Sequence, residues 1–243
     1  MTQLPLFQQV VALSGGADST AMALRLAETD PDPSREYLCT PTGDELPEMH
    51  AHWDRLESLL GKPMLRLGRP GGLAGLIDFF DALPNFRMRW CTRMLKIEPC
   101  LAWIRGQPGR VVLSVGLRAD EEERQGIYSR DVATRFPLRE WGWNRADVLA
   151  YLERRGVSIP SRTDCARCYG QRLSEWHTLW SEHPELWADA EKQEAETGHT
   201  FRSAQRDTWP AGLAELRQRF EAGDKPKLRV LNNAGGACRV CRM

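Results

Sequence analysis

A parallel α/β fold, with helices on both faces of the sheet and a small helical region after it, is what this sequence predicts. Three observations carry that prediction. Short apolar runs alternate with segments of helical period as far as Pro160, and such alternation implies right-handed crossovers between parallel strands. The first of those runs enters a Ser-Gly-Gly turn that leads at once into a helical pattern. Beyond Pro160 the strand-like runs stop and only helical stripes remain, so a boundary is expected near Ser161 to Asp164. Residues 1–163 would form the sheet domain and residues 164–243 the helical, cysteine-bearing region.

Taken in order, Val10 to Leu13 reads as a strand and Ala21 to Ala27 as a helix. Asp30-Pro-Asp-Pro-Ser34 breaks the period, and Glu36 to Thr40 follows as a second strand. After Thr42-Gly43-Asp44-Glu45-Leu46-Pro47-Glu48, the residues Met49, Trp53, Leu56 and Leu60 recur at helical spacing, with Gly61 as the stop. Met64 to Leu67 is a third short strand and Arg69 to Gly72 a loop. Arg110 to Val115 is the clearest buried strand, and Thr134 to Leu138 is expected to be the last one. Asn144 caps a helix carrying Val148, Leu149 and Leu152, closed by Gly156. In the tail, Leu173, Trp176 and Trp180 share one stripe and Leu213, Leu216 and Phe220 another. These aromatics read as core, following the burial preference of Trp and Leu.

The chain of 243 residues is long enough for a full core, and its 33 basic and 33 acidic side chains cancel. Global charge therefore points to neither a nucleic-acid nor a membrane partner. There is no apolar run of the roughly 18 residues that a span requires, and Met1 to Gln9 lacks a signal pattern, so a soluble, cytoplasmic protein with no membrane partner is expected. Seven cysteines in such a chain suggest metal, cluster or redox chemistry rather than structural disulfides.

Ser14-Gly15-Gly16-Ala17-Asp18-Ser19 is the first candidate site. The glycines let the backbone turn sharply, so that successive N–H groups point at one anion beside the positive end of a helix. The second is Arg87 to Pro99, dense in cations and carrying Cys91 beside Trp90. A cysteine near Arg and Lys at a helix start suits a thiolate ligand or nucleophile, though a solvated basic turn explains the same composition. Arg118, directly after a buried strand, is well placed for a phosphate. Cys165-Ala-Arg-Cys168 and Cys238-Arg-Val-Cys241 are two CxxC pairs. Together they suit a four-thiolate zinc site; Cys91 with one pair suits three corners of an iron–sulfur cluster, and a redox disulfide is the third reading.

Several motifs are shared, in order, with one family. Ser14-Gly-Gly-Ala-Asp-Ser19, Thr42-Gly43-x-Glu45-x-Pro47-Glu48, Trp90-Cys91-Thr92 with Lys96 and Pro99, Gly116-x-Arg118-x-Asp120-Glu121 and Leu138-x-x-Trp141 resemble the phosphoadenosine phosphosulfate (PAPS) reductase-like branch of the PP-loop ATP pyrophosphatases. The resemblance covers about residues 8 to 175 and implies a Rossmann-like, adenine nucleotide alpha hydrolase-like fold. That branch includes sulfonucleotide reductases, ATP sulfurylase small subunits and the sulfurtransferase of DNA phosphorothioation. An intact loop suits the members that bind the triphosphate of ATP.

The resemblance thus implies an ATP-dependent adenylation followed by sulfur transfer, with Mg²⁺ and a [4Fe-4S] cluster, or zinc instead, as cofactors. Ser14, Gly15, Gly16, Ala17, Asp18 and Ser19 would hold ATP, Asp18 also binding Mg²⁺ or fixing the loop, and Asp44 and Glu45 would meet Mg²⁺ or ribose. Lys96 and Arg118 would clamp phosphates or an acidic substrate and, with Asp18, are the catalytic candidates. Cys91, Cys165 and Cys168 would be ligands, with Cys238 or Cys241 as the fourth, since Thr92 stands where adenylylsulfate reductases have a second cysteine. Sulfide or a cysteine desulfurase persulfide would supply sulfur, tRNA or DNA is a candidate acceptor, and a homodimer is a candidate assembly. A thiol-dependent sulfonucleotide reductase and a non-enzymatic nucleotide or nucleic-acid-binding module with structural zinc are the competing readings.

Overall fold

A computed structural model describes residues 7–124 and 132–226. Five strands, β1 (Phe7–Ala12), β2 (Glu36–Cys39), β3 (Met64–Arg66), β4 (Arg110–Ser114) and β5 (Ala133–Arg135), form one parallel sheet in the order β3-β2-β1-β4-β5. β1 is central, pairing Val11 with Tyr37 on one side and with Ser114 on the other. The order reverses between β1 and β4. The crevice outside the carboxyl ends of those two strands is where a doubly wound sheet receives its ligand.

Alternation along the strands sorts the core into two layers. Val11, Tyr37 and Cys39 point into one cluster, with Ala21, Met22 and Leu26 of α1 (Ala17–Thr29), Met49, Trp53 and Leu56 of α2 (Pro47–Leu60) and Val148 and Leu152 of α7 (Arg145–Arg154). Val10, Leu38, Val111 and Leu113 point the other way, against Cys100 and Ile104 of α5 (Glu98–Arg105). The period-2 geometry of a strand demands this division. A third cluster joins Leu73, Leu76 and Ile77 of α3 (Gly72–Phe80), together with Leu46 and Leu95, to Trp176 and Leu179 of α8 (Leu173–Glu182), Trp187 of α9 (Pro184–Thr197) and Leu216 and Phe220 of α10 (Leu213–Glu221). The helical tail therefore shares its core with residues of the sheet region.

Two expected helix signals appear as cap geometry. Asn144 Oδ1 accepts from the Ala146 N–H at 2.7 Å and Asp147 returns the bond to the Asn144 N–H at 2.9 Å, a reciprocal cap at the start of α7. Gly61 ends α2 at φ 65°, in the left-handed region that glycine adopts without a Cβ penalty. The last strand is a correction. β5 stops at Arg135, and Pro137 opens the short helix α6 (Pro137–Glu140). Proline has no N–H to give a ladder, while its fixed φ suits the first turn of a helix. Leu138, fully buried, contributes to the core from that helix instead of from a strand.

Between α4 (Trp90–Thr92) and α5 the chain makes a π-helical turn over Arg93–Ile97, which carries Lys96. Among the described residues no helix is long and apolar enough to cross a membrane.

Candidate functional site

The glycine loop joins β1 to α1 at the reversal of strand order. Gly16 is the N-cap of α1 and no side chain caps that end, so the first N–H groups of the helix are left for a ligand. The loop is tied internally: Ser14 Oγ lies 3.1 Å from Ser19 Oγ, the Ser19 hydroxyl lies 3.1 Å from the Gly16 carbonyl, and the Gly16 N–H makes a long 3.4 Å contact with Ser14 Oγ. It is also tied from behind. The Trp53 indole N–H donates to the Ser14 carbonyl at 3.0 Å, and His52 Nε2 lies 3.0 Å from the Gly15 carbonyl. Gly15 adopts φ +89°, and a Cβ there would lie 2.8 Å from the indole nitrogen of Trp53. Only glycine fits.

The turn after β4 closes the other wall of the crevice. A Cβ on Gly116 would lie 3.1 Å from the backbone of Asp18 and Ser19, so glycine is what allows this turn to press against the start of α1. Arg118 follows, nearly buried, and donates to Asp18 at 2.7 Å and to Asp120 at 2.8 Å, with Glu121 at 3.6 Å. Burial raises the Asp18 carboxyl above its ordinary range, opposed by the charge of Arg118. Arg139 braces the same turn by donating to the carbonyls of Arg118, Glu121 and Arg124. Three carboxylates around one guanidinium make a fixed ion cluster at the mouth of the crevice.

The remaining expected residues meet around the loop between β2 and α2. The Asp44 side chain is wholly enclosed and pairs with Arg167, accepting from its N–H at 2.9 Å and its Nε at 2.6 Å; the Asp44 carbonyl accepts from the Ala166 N–H at 2.6 Å. Arg167 also donates to Gln193 at 3.0 Å. These bonds give Asp44 a structural task, fastening the Cys165–Cys168 turn. Glu45 folds onto its own loop, accepting from the Thr42 and Gly43 N–H groups at 2.6 and 3.0 Å. The Thr42 hydroxyl lies 2.7 Å from Glu45 Oε1 and 3.2 Å from Cys165 Sγ. It has one proton. That one hydroxyl ties the Glu45 carboxylate and the Cys165 sulfur together.

Burial pushes the Cys165 thiol well above its ordinary range; Lys96 opposes this, and Cys168 and Asp44 reinforce it. Lys96 is therefore a neighbour of Cys165. Cys91 packs, partly buried, against the core of the helical tail. Cys39 and Cys100 are core residues, with thiols pushed up by burial to about 12 and about 11. Among the described residues no three His, Cys, Asp or Glu side chains converge as a metal-binding group. Cys91, Cys165 and Cys168 as placed do not by themselves fit a [4Fe-4S] cluster or zinc. Cys238 and Cys241 lie outside the described residues.

The structure thus unites Ser14 to Ser19 with Arg118, and unites Lys96 with Cys165. Four residues that shape the site carry no sequence signal of that role. Arg167 is 123 positions from its partner Asp44, and no local signal joins them. His52 was not singled out, and Trp53 passed for one member of an apolar stripe. Gly116 stood in a motif, but its close approach to α1 is a tertiary fact.

The family model for the phosphoadenosine phosphosulfate reductase domain matches residues 8–161. No curated protein matches the sequence at a significant level. Among solved structures, the chain is similar to phosphoadenylyl-sulfate (PAPS) reductase from Candida auris in its phosphate complex, with 15% identity, 65% of this chain and 76% of that chain covered, and a TM-score of 0.49. It is similar to NMN synthetase from Francisella tularensis at 13% identity over 93% and 91% of the two chains, TM-score 0.45. For the U34-tRNA thiolase NcsA from Methanococcus maripaludis with its [4Fe-4S] cluster the values are 14%, 98% and 80%, with a TM-score of 0.46.

Proposed function

The chain belongs to the phosphoadenosine phosphosulfate reductase domain family of the PP-loop superfamily, and on that premise we propose that it cleaves ATP to AMP and pyrophosphate while adenylating an acceptor, then replaces the adenylate with sulfur. The observation that carries the proposal is the intact loop itself: Ser14 to Ser19, at the β1/β4 crevice, with the N-terminus of α1 uncapped by any side chain. An intact loop suits a triphosphate, which weighs against a reductase that leaves ATP intact.

In the first step an acceptor oxygen attacks the α-phosphorus, the bond to the β-phosphate oxygen breaks, and pyrophosphate leaves. The loop N–H groups and the Ser14 and Ser19 hydroxyls meet the charge that gathers on the leaving group, as preorganised dipoles. Mg²⁺ travels with the nucleotide, and Asp18 is the loop's own carboxylate; Arg118 holds that carboxylate in place. In the second step hydrosulfide attacks the activated acceptor atom, the bond to the adenylate oxygen breaks, and AMP departs. Most of the rate comes from positioning and electrostatics. A nucleic acid, tRNA or DNA, is the acceptor class we favour.

The matched domain is described as a reductase, so that activity is the second reading. It needs a thiolate to attack the sulfur of a sulfonucleotide. Partly buried Cys165, with its thiol raised above the ordinary range, is a poor candidate for that thiolate; Cys238 and Cys241 lie outside the described residues. Anaerobically purified protein, analysed for iron, sulfide and zinc, separates the readings. Acceptor-dependent release of pyrophosphate and AMP in equal amounts supports sulfur transfer. Sulfite formation from a sulfonucleotide and a dithiol, with ATP untouched, overturns it in favour of the reductase.

A further inference from the structure

The structure assigns to two consecutive residues of α2, His52 and Trp53, the task of aiming the loop's N–H groups at a polyphosphate; this rests on the ATP-binding reading above. Both side chains are buried, at 5% and 4% exposure, and both spend their ring N–H on the loop. The indole of Trp53 donates to the Ser14 carbonyl and His52 Nε2 to the Gly15 carbonyl, each at 3.0 Å. A carbonyl only accepts, so Nε2 must carry the proton. Burial lowers the basicity of His52, which leaves a neutral ring with a single N–H, the one in use.

The consequence follows from the planarity of the peptide unit. In a trans peptide the C=O and the N–H of one plane point in opposite directions, and none of the described peptide bonds is cis. Holding the Ser14 and Gly15 oxygens toward α2 therefore turns the Gly15 and Gly16 N–H groups away from α2. If either plane rotated, a carbonyl dipole would face the phosphates where a donor should. Rotation is easy here because Gly15, at φ +89°, has no Cβ to resist it. The glycines that make the turn feasible also make it loose, and two donors on one rigid helix restore the orientation. The Trp53 ring adds a steric stop, with its Nε1 and the Met49 Cε at 2.8 and 2.9 Å from where a Gly15 Cβ would stand.

His52 and Trp53 are thus positioning residues that act through the loop backbone. The test is calorimetric titration of the full-length protein with ATP, inorganic pyrophosphate and adenosine. Trp53→Phe keeps an aromatic ring and removes the donor; His52→Leu removes its donor; His52→Gln restores an N–H. Losing one donor is expected to weaken ATP and pyrophosphate about tenfold, the usual scale for one hydrogen bond, with adenosine unchanged and His52→Gln recovering most of the loss. Equal weakening of adenosine marks a merely structural role and overturns the assignment. So do variants that bind ATP and pyrophosphate as tightly as the wild type. A wild-type protein that binds neither ATP nor pyrophosphate overturns the ATP-binding reading itself, and the assignment with it. Should Trp53→Phe fail to fold, the contrast between His52→Leu and His52→Gln decides alone.

Discussion

At the glycine loop the polar work is done by the backbone, aimed from behind by a histidine and a tryptophan and left uncapped toward the crevice. On the helical side it is done by buried charges. The Asp44 side chain is wholly enclosed against Arg167, Glu194 accepts from the N–H groups of Phe201 and Leu213 at 2.8 and 2.6 Å, and Arg202, at 1% exposure, is bound to Asp207 at 2.8 Å. Backbone dipoles carry no net charge to titrate and keep their binding capacity for a guest. Buried charges are consumed by their partners. The comparison teaches that ligand sensitivity should reside at the loop, while the largest losses of stability on deleting a single buried charge should fall in the helical half.

Arg167→Ala tests the second part at its strongest point. It removes the guanidinium and leaves the buried Asp44 carboxylate only the backbone N–H of residue 167, and breaking such a pair costs about 3 to 5 kcal/mol. Denaturant unfolding should show that loss, with the Cys165–Cys168 turn released to alkylation. A loss under about 1 kcal/mol, the scale of an exposed pair, would erase the contrast.

Gly15→Val tests the first part. A Cβ at 2.8 Å from Trp53 Nε1 must push the indole off the Ser14 carbonyl. Acceptor-dependent pyrophosphate release should fall by about 10² to 10³, the scale of lost oxyanion donors. Strain from the added group should cost stability only about 1 to 3 kcal/mol. Wild-type turnover would show that the loop is not where ATP is cleaved.

How much of this contrast was legible in the sequence differs between the two halves. The sheet and its loop depend on local signals: apolar runs, a glycine pair, Asn144 as a cap, Gly61 as a stop. Those are written next to one another in the chain. Pro137 misled only where an apolar run was extended across a residue that cannot give a ladder bond. The helical half depends on pairs far apart, such as Asp44 with Arg167, and a carboxylate that resembles a ligand reads the same whether it faces Mg²⁺ or a buried guanidinium. Trp53 was legible as core, and its N–H was not, because periodicity reports which face is buried and says nothing of what the ring donates to.

Glu194 sharpens the comparison through pH. Burial pushes its carboxyl up to about 7 from an ordinary 4.5, against the pull of its two backbone donors. The native state therefore keeps this proton to higher pH than the unfolded chain does. The stabilisation is fully present below pH 4.5 and is lost as pH rises through 7, a change of about 3 kcal/mol for a shift of that size. Asp18 and Asp44, also raised, act in the same sense, and His52, lowered, acts against them. Comparing wild type with Glu194→Gln isolates the one group: the fall in unfolding free energy between pH 5 and 8 should be flatter in the variant. Identical slopes would remove Glu194 as the source.

The smallest effect concerns Cys165, where the two halves come nearest in chemistry. A thiol 3.2 Å from the Thr42 hydroxyl and raised by burial should react slowly with iodoacetamide, and its rate should still climb about tenfold per pH unit through pH 9. Lys96→Met removes the one cation credited with favouring the thiolate, so at fixed pH the reaction should slow further, by about two- to fivefold for a single partly screened charge. Mass spectrometry of the Cys165 peptide measures both. A rate that levels off below pH 8 would mean that the thiolate is already held by charge. The helical side would then offer a reactive sulfur beside Lys96, and the division between an open backbone site and a closed side-chain one would fail at Cys165.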